Sequence, residues 1–170
     1  MAETIEAPAT DRVKGRYRLM AYGLALAVIA ADQLIKHWFL GLDLPMGASA
    51  PLLGPVQLTM VWNPGISFGL LRADGELGRW ALSLFPVVVA AVLAWWARTS
   101  DRRLMSLYLG LLMGGAIGNA IDRIRFGAVV DFFDVSRLGF PWVFNLADAA
   151  INVGIVLFLL DSFRPEKKTD

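Results

Sequence analysis

The chain has 170 residues, 56% hydrophobic and 18% charged, with a net charge of +1, one histidine and no cysteine. An average soluble domain carries about 25% charged residues, so apolar character concentrated in blocks indicates a single integral membrane domain. The near-neutral balance gives no general attraction to nucleic acid, the missing cysteines exclude disulfides and thiolate chemistry, and a lone His37 argues against a histidine metal cluster.

Residues 1–16, "MAETIEAPATDRVKGR", are too polar for a signal peptide and are expected to form a disordered tail. Four blocks then approach the length of a membrane-spanning helix, about 20 apolar residues. The first is 17–40, with Asp32 and Lys36 toward its end. The second is 78–98, carrying Pro86 inside and Trp80, Trp95 and Trp96 near its ends, where an aromatic belt belongs. The third is 104–121, in which Gly110, Gly114 and Gly118 recur at four-residue spacing and offer a face for close helix approach. The fourth is 144–162, "FNLADAAINVGIVLFLLDS". Between the first two, "PVQLTMVWN" and the turn-forming "NPGISFG" predict a short β-like element over 44–70, and "FGAVVDFFDV" (126–135) reads as extended. Residues 17–163 therefore form one domain, followed by a tail at 164–170.

Basic residues orient the spans. Arg12, Lys14, Arg16 and Arg18 precede the first, Arg98, Arg102 and Arg103 join the second to the third, and Arg164, Lys167 and Lys168 follow the fourth. The positive-inside rule places both tails in the cytoplasm and the loops 41–77 and 122–143 on the far side, the periplasm of a bacterium. The expected fold class is all-α, four transmembrane helices with a small β-like cradle outside the membrane.

Acids near a membrane are functional candidates because burying them is unfavourable. Asp32 and Lys36, four apart, share a helix face and pair as a structural tether. Asp122 precedes Arg123 and lies near Arg125, so an arginine pair pinning the loop after the third span is expected. Asp161 reads as a boundary residue beside Arg164. Asp131 in "AVVDFF" and Asp148 in "NLADAA" have no adjacent cation and fall on the same membrane face. Two such carboxylates brought together would share one proton, the electrostatics of an aspartic protease dyad. Asp134 is a spare candidate, and Asp148 has a bland alternative as a helix cap. On spacing alone, the conclusion stops at a polytopic membrane protein with an acidic far-side site. A transporter or an assembly subunit with interfacial structural acids remains the alternative.

Four segments together resemble the bacterial lipoprotein signal peptidases (signal peptidase II), which are intramembrane aspartic proteases. They are "DQLIK" (32–36), "NPGISFGLL" (63–71), "GGAIGNAIDRIRFGAVVDFFD" (114–134) and "FNLADAAINVG" (144–154), in the family's order and spacing. The resemblance implies that Asp131 and Asp148 are catalytic. It implies supporting roles for Asn63, Gly65, Asn119, Arg123 and Asn145, and structural polar roles for Asp32, Lys36 and Asp122. The implied reaction is hydrolysis of the peptide bond before a diacylglyceryl-modified cysteine in a prolipoprotein, without metal or cofactor, by a monomer in the inner membrane. A β-like cradle from 44–70 and a mobile segment reaching toward Glu76 are implied as well. Pro64 and the Ile66-Ser67 pair depart from the family's usual residues and alter the fine shape near the substrate.

Overall fold

The structure is a computed structural model that describes residues 9–65 and 75–164. Four long helices carry the chain: α1 (Ala9–Leu40), α2 (Gly75–Ala97), α3 (Arg103–Phe126) and α4 (Leu146–Ser162). Segments of α1, α2 and α3 (Gly15–Leu40, Trp80–Ala97 and Arg103–Phe126) are long and apolar enough to cross a membrane. Helix α4 has 17 residues, the lower end of the spanning range of about 17–25.

Helix α3 is the axis, with α1, α2 and α4 packed around it. Its glycines explain why. A Cβ on Gly110 would lie 2.8 Å from the Ala21 carbonyl oxygen, and one on Gly114 would lie 2.6 Å from the Val28 Cβ. On the neighbouring face, a Cβ on Gly115 would lie 2.5 Å from the carbonyl oxygen of Ala147. The small-residue face read from the sequence thus serves α1, and an adjoining one serves α4. Polarity runs inside out. Asp32, Lys36, Asn119, Asp122 and Asn145 are buried, while Leu84, Phe85, Val88, Val92 and Trp95 of α2 face outward, as hydrocarbon surroundings favour.

Four strands, β1 (Ser49–Leu53), β2 (Val56–Asn63), β3 (Val129–Asp134) and β4 (Val143–Phe144), form an antiparallel sheet in that order. Strands β1 and β2 fall inside the expected 44–70 element, and β3 inside the extended 126–135. Local pattern gave no sign that β2 and β3 pair, with Val61 opposite Asp131. The sheet sits on the end of α1 through Phe39, Leu58, Met60, Val130 and Phe132, with the Phe39 and Phe132 rings stacked at 4.7 Å.

Several boundaries differ from expectation, among them the start of α2 at Gly75 rather than 78. Helix α1 begins at Ala9, so residues 9–16, expected within a disordered tail, are helical. Helix α3 continues to Phe126 and stops where Gly127 adopts φ 77°, its amide bonding the Arg123 carbonyl. Asp122 and Arg123 therefore belong to the helix rather than to the loop after it. Helix α4 starts two residues late because Val143 and Phe144 pair with β3. The Ile66-Ser67 pair and most of the segment expected to reach toward Glu76 lie outside the described residues.

Candidate active site

The site forms where the sheet meets one end of the bundle. Its base is a buried ion cluster. Lys36 lies 2.8 Å from Asp32 and 2.8 Å from Asp122, and its ammonium also donates to Asn119 Oδ1 at 3.2 Å. Helical spacing dictates the first contact, since residues 32 and 36 stand one turn apart. The other carboxylate oxygens tie remote elements together. Asp32 Oδ1 accepts from the Ala147 amide of α4 at 3.0 Å, and Asp122 Oδ2 accepts from the Val130 amide of β3 at 3.1 Å. Gln33 adds donors to Asp122, Asp32 and the Gly118 carbonyl. One cation balances two buried carboxylates, and their other partners are amide donors that compensate for lost water.

Above this cluster, two asparagines connect the two isolated acids. Asn145 is the N-cap of α4, its Oδ1 accepting the Asp148 amide at 2.9 Å. Its Nδ2 donates to Asp131 Oδ1 at 2.7 Å and to Asn119 Oδ1 at 3.1 Å. Asn119 Nδ2 in turn donates to Asp148 Oδ1 at 2.7 Å. Asp131 and Asp148 are thus joined through one pair of amides, although 17 positions separate them in sequence. Asn145 takes the capping role, which leaves the Asp148 carboxylate free to face Asn119 and removes the bland alternative in which Asp148 itself is the cap.

Asp131 receives a second amide from Asn63, whose Nδ2 lies 3.0 Å from Oδ2. The strand register explains this contact: Asn63 pairs with Val129, so it sits diagonally from Asp131 on one face of the sheet. Only 2% of Asp131 is exposed. Burial pushes its carboxyl up to about 7, with Asp148's charge adding to the rise and the Asn63 and Asn145 hydrogen bonds and Lys36 opposing it. Such a group can hold or release a proton near neutrality.

Arg123 does not pair with Asp122, as expected from their adjacency. Successive helical residues point about 100° apart, and Lys36 already occupies Asp122. Arg123 Nη2 instead donates to the Gly65 carbonyl at 2.7 Å, while the Gly65 amide donates to Asn63 Oδ1 at 3.1 Å. Gly65 thereby links Arg123 to the residue that holds Asp131. Asp134 is turned away, because three residues along a strand reverse the face. It accepts from Thr59 Oγ1 at 2.7 Å and the Ser136 amide at 2.8 Å. Asp161 pairs with Arg102 at 3.1 Å, closing the opposite end of the bundle. Sequence reasoning gave no role to Gln33, although it lies in the quoted "DQLIK" segment, and missed the Arg102 partner; spacing alone does not tell which acids on another helix that glutamine reaches.

Fold and site together define a membrane-embedded protein with two acids linked through a pair of asparagines at the polar end of a helical bundle. The model of the family described as signal peptidase (SPase) II matches residues 24–164. A protein named lipoprotein signal peptidase from Caulobacter vibrioides is 54% identical over 150 residues, covering 87% of this chain and 89% of that protein. A namesake from Methylorubrum extorquens is 44% identical over 142 residues, covering 82% and 83%. A solved structure described as a bacterial membrane enzyme superposes with a TM-score of 0.75 at 25% identity, covering 88% of this chain and 93% of that one. The chain belongs to the signal peptidase II family, and it is a membrane-embedded protease. The transporter and assembly-subunit alternatives give way to that assignment.

Proposed function

We propose that this protein is an aspartic endopeptidase that removes the signal peptide from diacylglyceryl-modified prolipoproteins, cleaving just before the lipidated cysteine. The observation that carries the reading is the Asp131–Asn145–Asn119–Asp148 connection, which holds two poorly solvated carboxyls in one network. Four spans with both termini in the cytoplasm put this site at the periplasmic face of the inner membrane, where the lipidated substrate already resides. The protein acts as a monomer and needs no metal or cofactor.

In mechanism, the two carboxyls share one proton. The ionised member takes a proton from a water as that water attacks the scissile carbonyl, and the protonated member donates to the carbonyl oxygen. Collapse of the tetrahedral intermediate breaks the C–N bond, and the proton gained by the base passes to the leaving nitrogen. Asn63, Asn119 and Asn145 keep the carboxyls oriented, and Arg123 with Gly65 shapes the side where the substrate backbone lies.

The test is a gel-shift cleavage assay on a lipidated prolipoprotein in detergent, comparing wild type with Asp131→Asn and Asp148→Asn. Each variant is expected to fold and to lose turnover. Cleavage retained by both would remove the dyad. Equal turnover of lipidated and unlipidated substrate would remove the role given to the lipid.

A further inference from the structure

Asn152 has no part in the network just described. It lies about one turn below Asp148, about 6 Å deeper along α4, and shares that flank of the helix. Its side chain is exposed and has no hydrogen-bond partner among the described residues. An unpaired amide on a membrane helix is unfavourable, since hydrocarbon offers it nothing to bond.

The flank it occupies is defined by its neighbours. Ala147 faces α1 and α3, where its amide meets Asp32. Leu146, Ala149, Ala150 and Val153 line an apolar crevice toward α1. Asp148 lies outside that crevice, its carboxylate reaching Asn119 on α3, and lower on α4 it is Phe158 that meets α2, at Trp96. There α2 and α4 both rest on α3 and scarcely touch each other. The resulting groove is closed at its far end by Trp96 of α2 and Phe158 of α4, whose rings meet edge to face at 6.0 Å. From Asp148 to Phe158 it runs ten residues of helix, about 15 Å. Below Asn152 its α4 wall continues with Ile155 and Leu159, both exposed.

We propose that Asn152 is a substrate-contacting residue whose amide hydrogen-bonds the backbone of the substrate's signal segment just ahead of the scissile bond. This rests on the peptidase reading above. A peptide bond open to attack cannot lie inside a regular helix, so the residues leading into the dyad must be unwound. Their N–H and C=O groups then lie at membrane depth without intrahelical partners, which is unfavourable unless the enzyme supplies one. An asparagine side chain offers both a donor and an acceptor, matching both groups. Ile155 and Leu159 meet the apolar residues that follow toward the cytoplasm.

The experiment uses the full chain in detergent with a lipidated prolipoprotein. Asn152→Leu is expected to raise KM roughly tenfold, as for loss of one or two buried hydrogen bonds, and to change kcat less than about twofold. Asn152→Gln is expected to restore most of the affinity. Replacing the peptide groups before the scissile bond with esters, one at a time, identifies the partner: at the right position the ester weakens wild type but not Asn152→Leu. A wild-type KM in Asn152→Leu overturns the proposal. So does a fall in kcat matched by a lower Tm, or a changed oligomeric state, since either assigns the amide to the enzyme's own structure. Asp131→Asn and Asp148→Asn run in parallel keep the two readings separate: if they lose turnover while Asn152→Leu binds normally, only the Asn152 role fails.

Discussion

Asn145 donates its amide to Asp131 at 2.7 Å while its carbonyl oxygen receives the first-turn amide of Asp148 at 2.9 Å. One side chain therefore fixes both the strand acid and the start of the helix that carries its partner. The two functions are separable by substitution. Asn145→Ser keeps an oxygen able to cap α4 but removes the donor to Asp131. A hydrogen bond to a charged group contributes about 1.5–3 kcal/mol, so turnover is expected to fall roughly tenfold to a hundredfold. The thermal midpoint should move far less than for Asn145→Leu, which removes the cap as well. Equal turnover in wild type and Asn145→Ser would show that the bond positions nothing.

The titration of Asp131 sets a pH dependence for both stability and rate. Its carboxyl ionises near 7 in the folded protein and at the ordinary value, about 3.8, when unfolded. Between these values the folded state holds more protons, so stability from this group is complete below about 4 and declines as pH rises toward 7. In the proposed dyad the shared-proton form would also be lost as pH rises through that range, so kcat/KM should be bell-shaped with an alkaline limb near neutrality. Asp148→Asn removes one of the two causes of the upward shift. Asp131 should then titrate lower, as carbonyl-region infrared or carboxyl NMR can follow. An unchanged Asp131 titration in that variant would mean the two acids do not sense each other.

Much of this arrangement is legible in the sequence, for specific reasons. Apolar blocks mark the spans because lipid exposes side chains that a soluble core would hide. The Asp32–Lys36 contact follows from helical spacing, and the isolation of Asp131 and Asp148 from cations singles them out. What spacing does not contain is pairing between distant segments. The β2–β3 register that sets Asn63 beside Asp131 depends on the whole sheet, and Lys36 takes Asp122 from α1, 86 positions away. Adjacency in sequence therefore suggested the wrong partner for Arg123. The same holds for the α4 cap: Asn145 and Asp148 are both suitable acceptors, and only the onset of the helix at Leu146 decides between them.

Asp32 tests whether the buried ion cluster is structural. Asp32→Ala removes a carboxylate 2.8 Å from Lys36 and the acceptor for the Ala147 amide. Breaking a buried ion pair from one side costs about 3–5 kcal/mol. The variant should show a clearly lower thermal midpoint in detergent, with turnover per folded molecule within severalfold of wild type. Normal stability combined with complete loss of turnover would place Asp32 in the chemistry instead.

Gly114 tests the packing that brings all of this together. Its missing Cβ lets α1 approach, since an added methyl would lie 2.6 Å from the Val28 Cβ and 2.9 Å from the Ala25 carbonyl oxygen. The second of these is backbone and cannot swing aside, so α1 itself would have to shift. Overpacking of this kind costs about 1–3 kcal/mol. Displacing α1 also moves Lys36, whose ammonium holds the Asn119 side chain that donates to Asp148, so Gly114→Ala should lose turnover along with stability. Gly23→Ala is the control, because nothing lies within 4 Å of its added methyl. Its thermal midpoint should match or slightly exceed wild type, as alanine favours helix over glycine. If Gly114→Ala melts with Gly23→Ala, the close approach of α1 and α3 is not what holds the site's base in place.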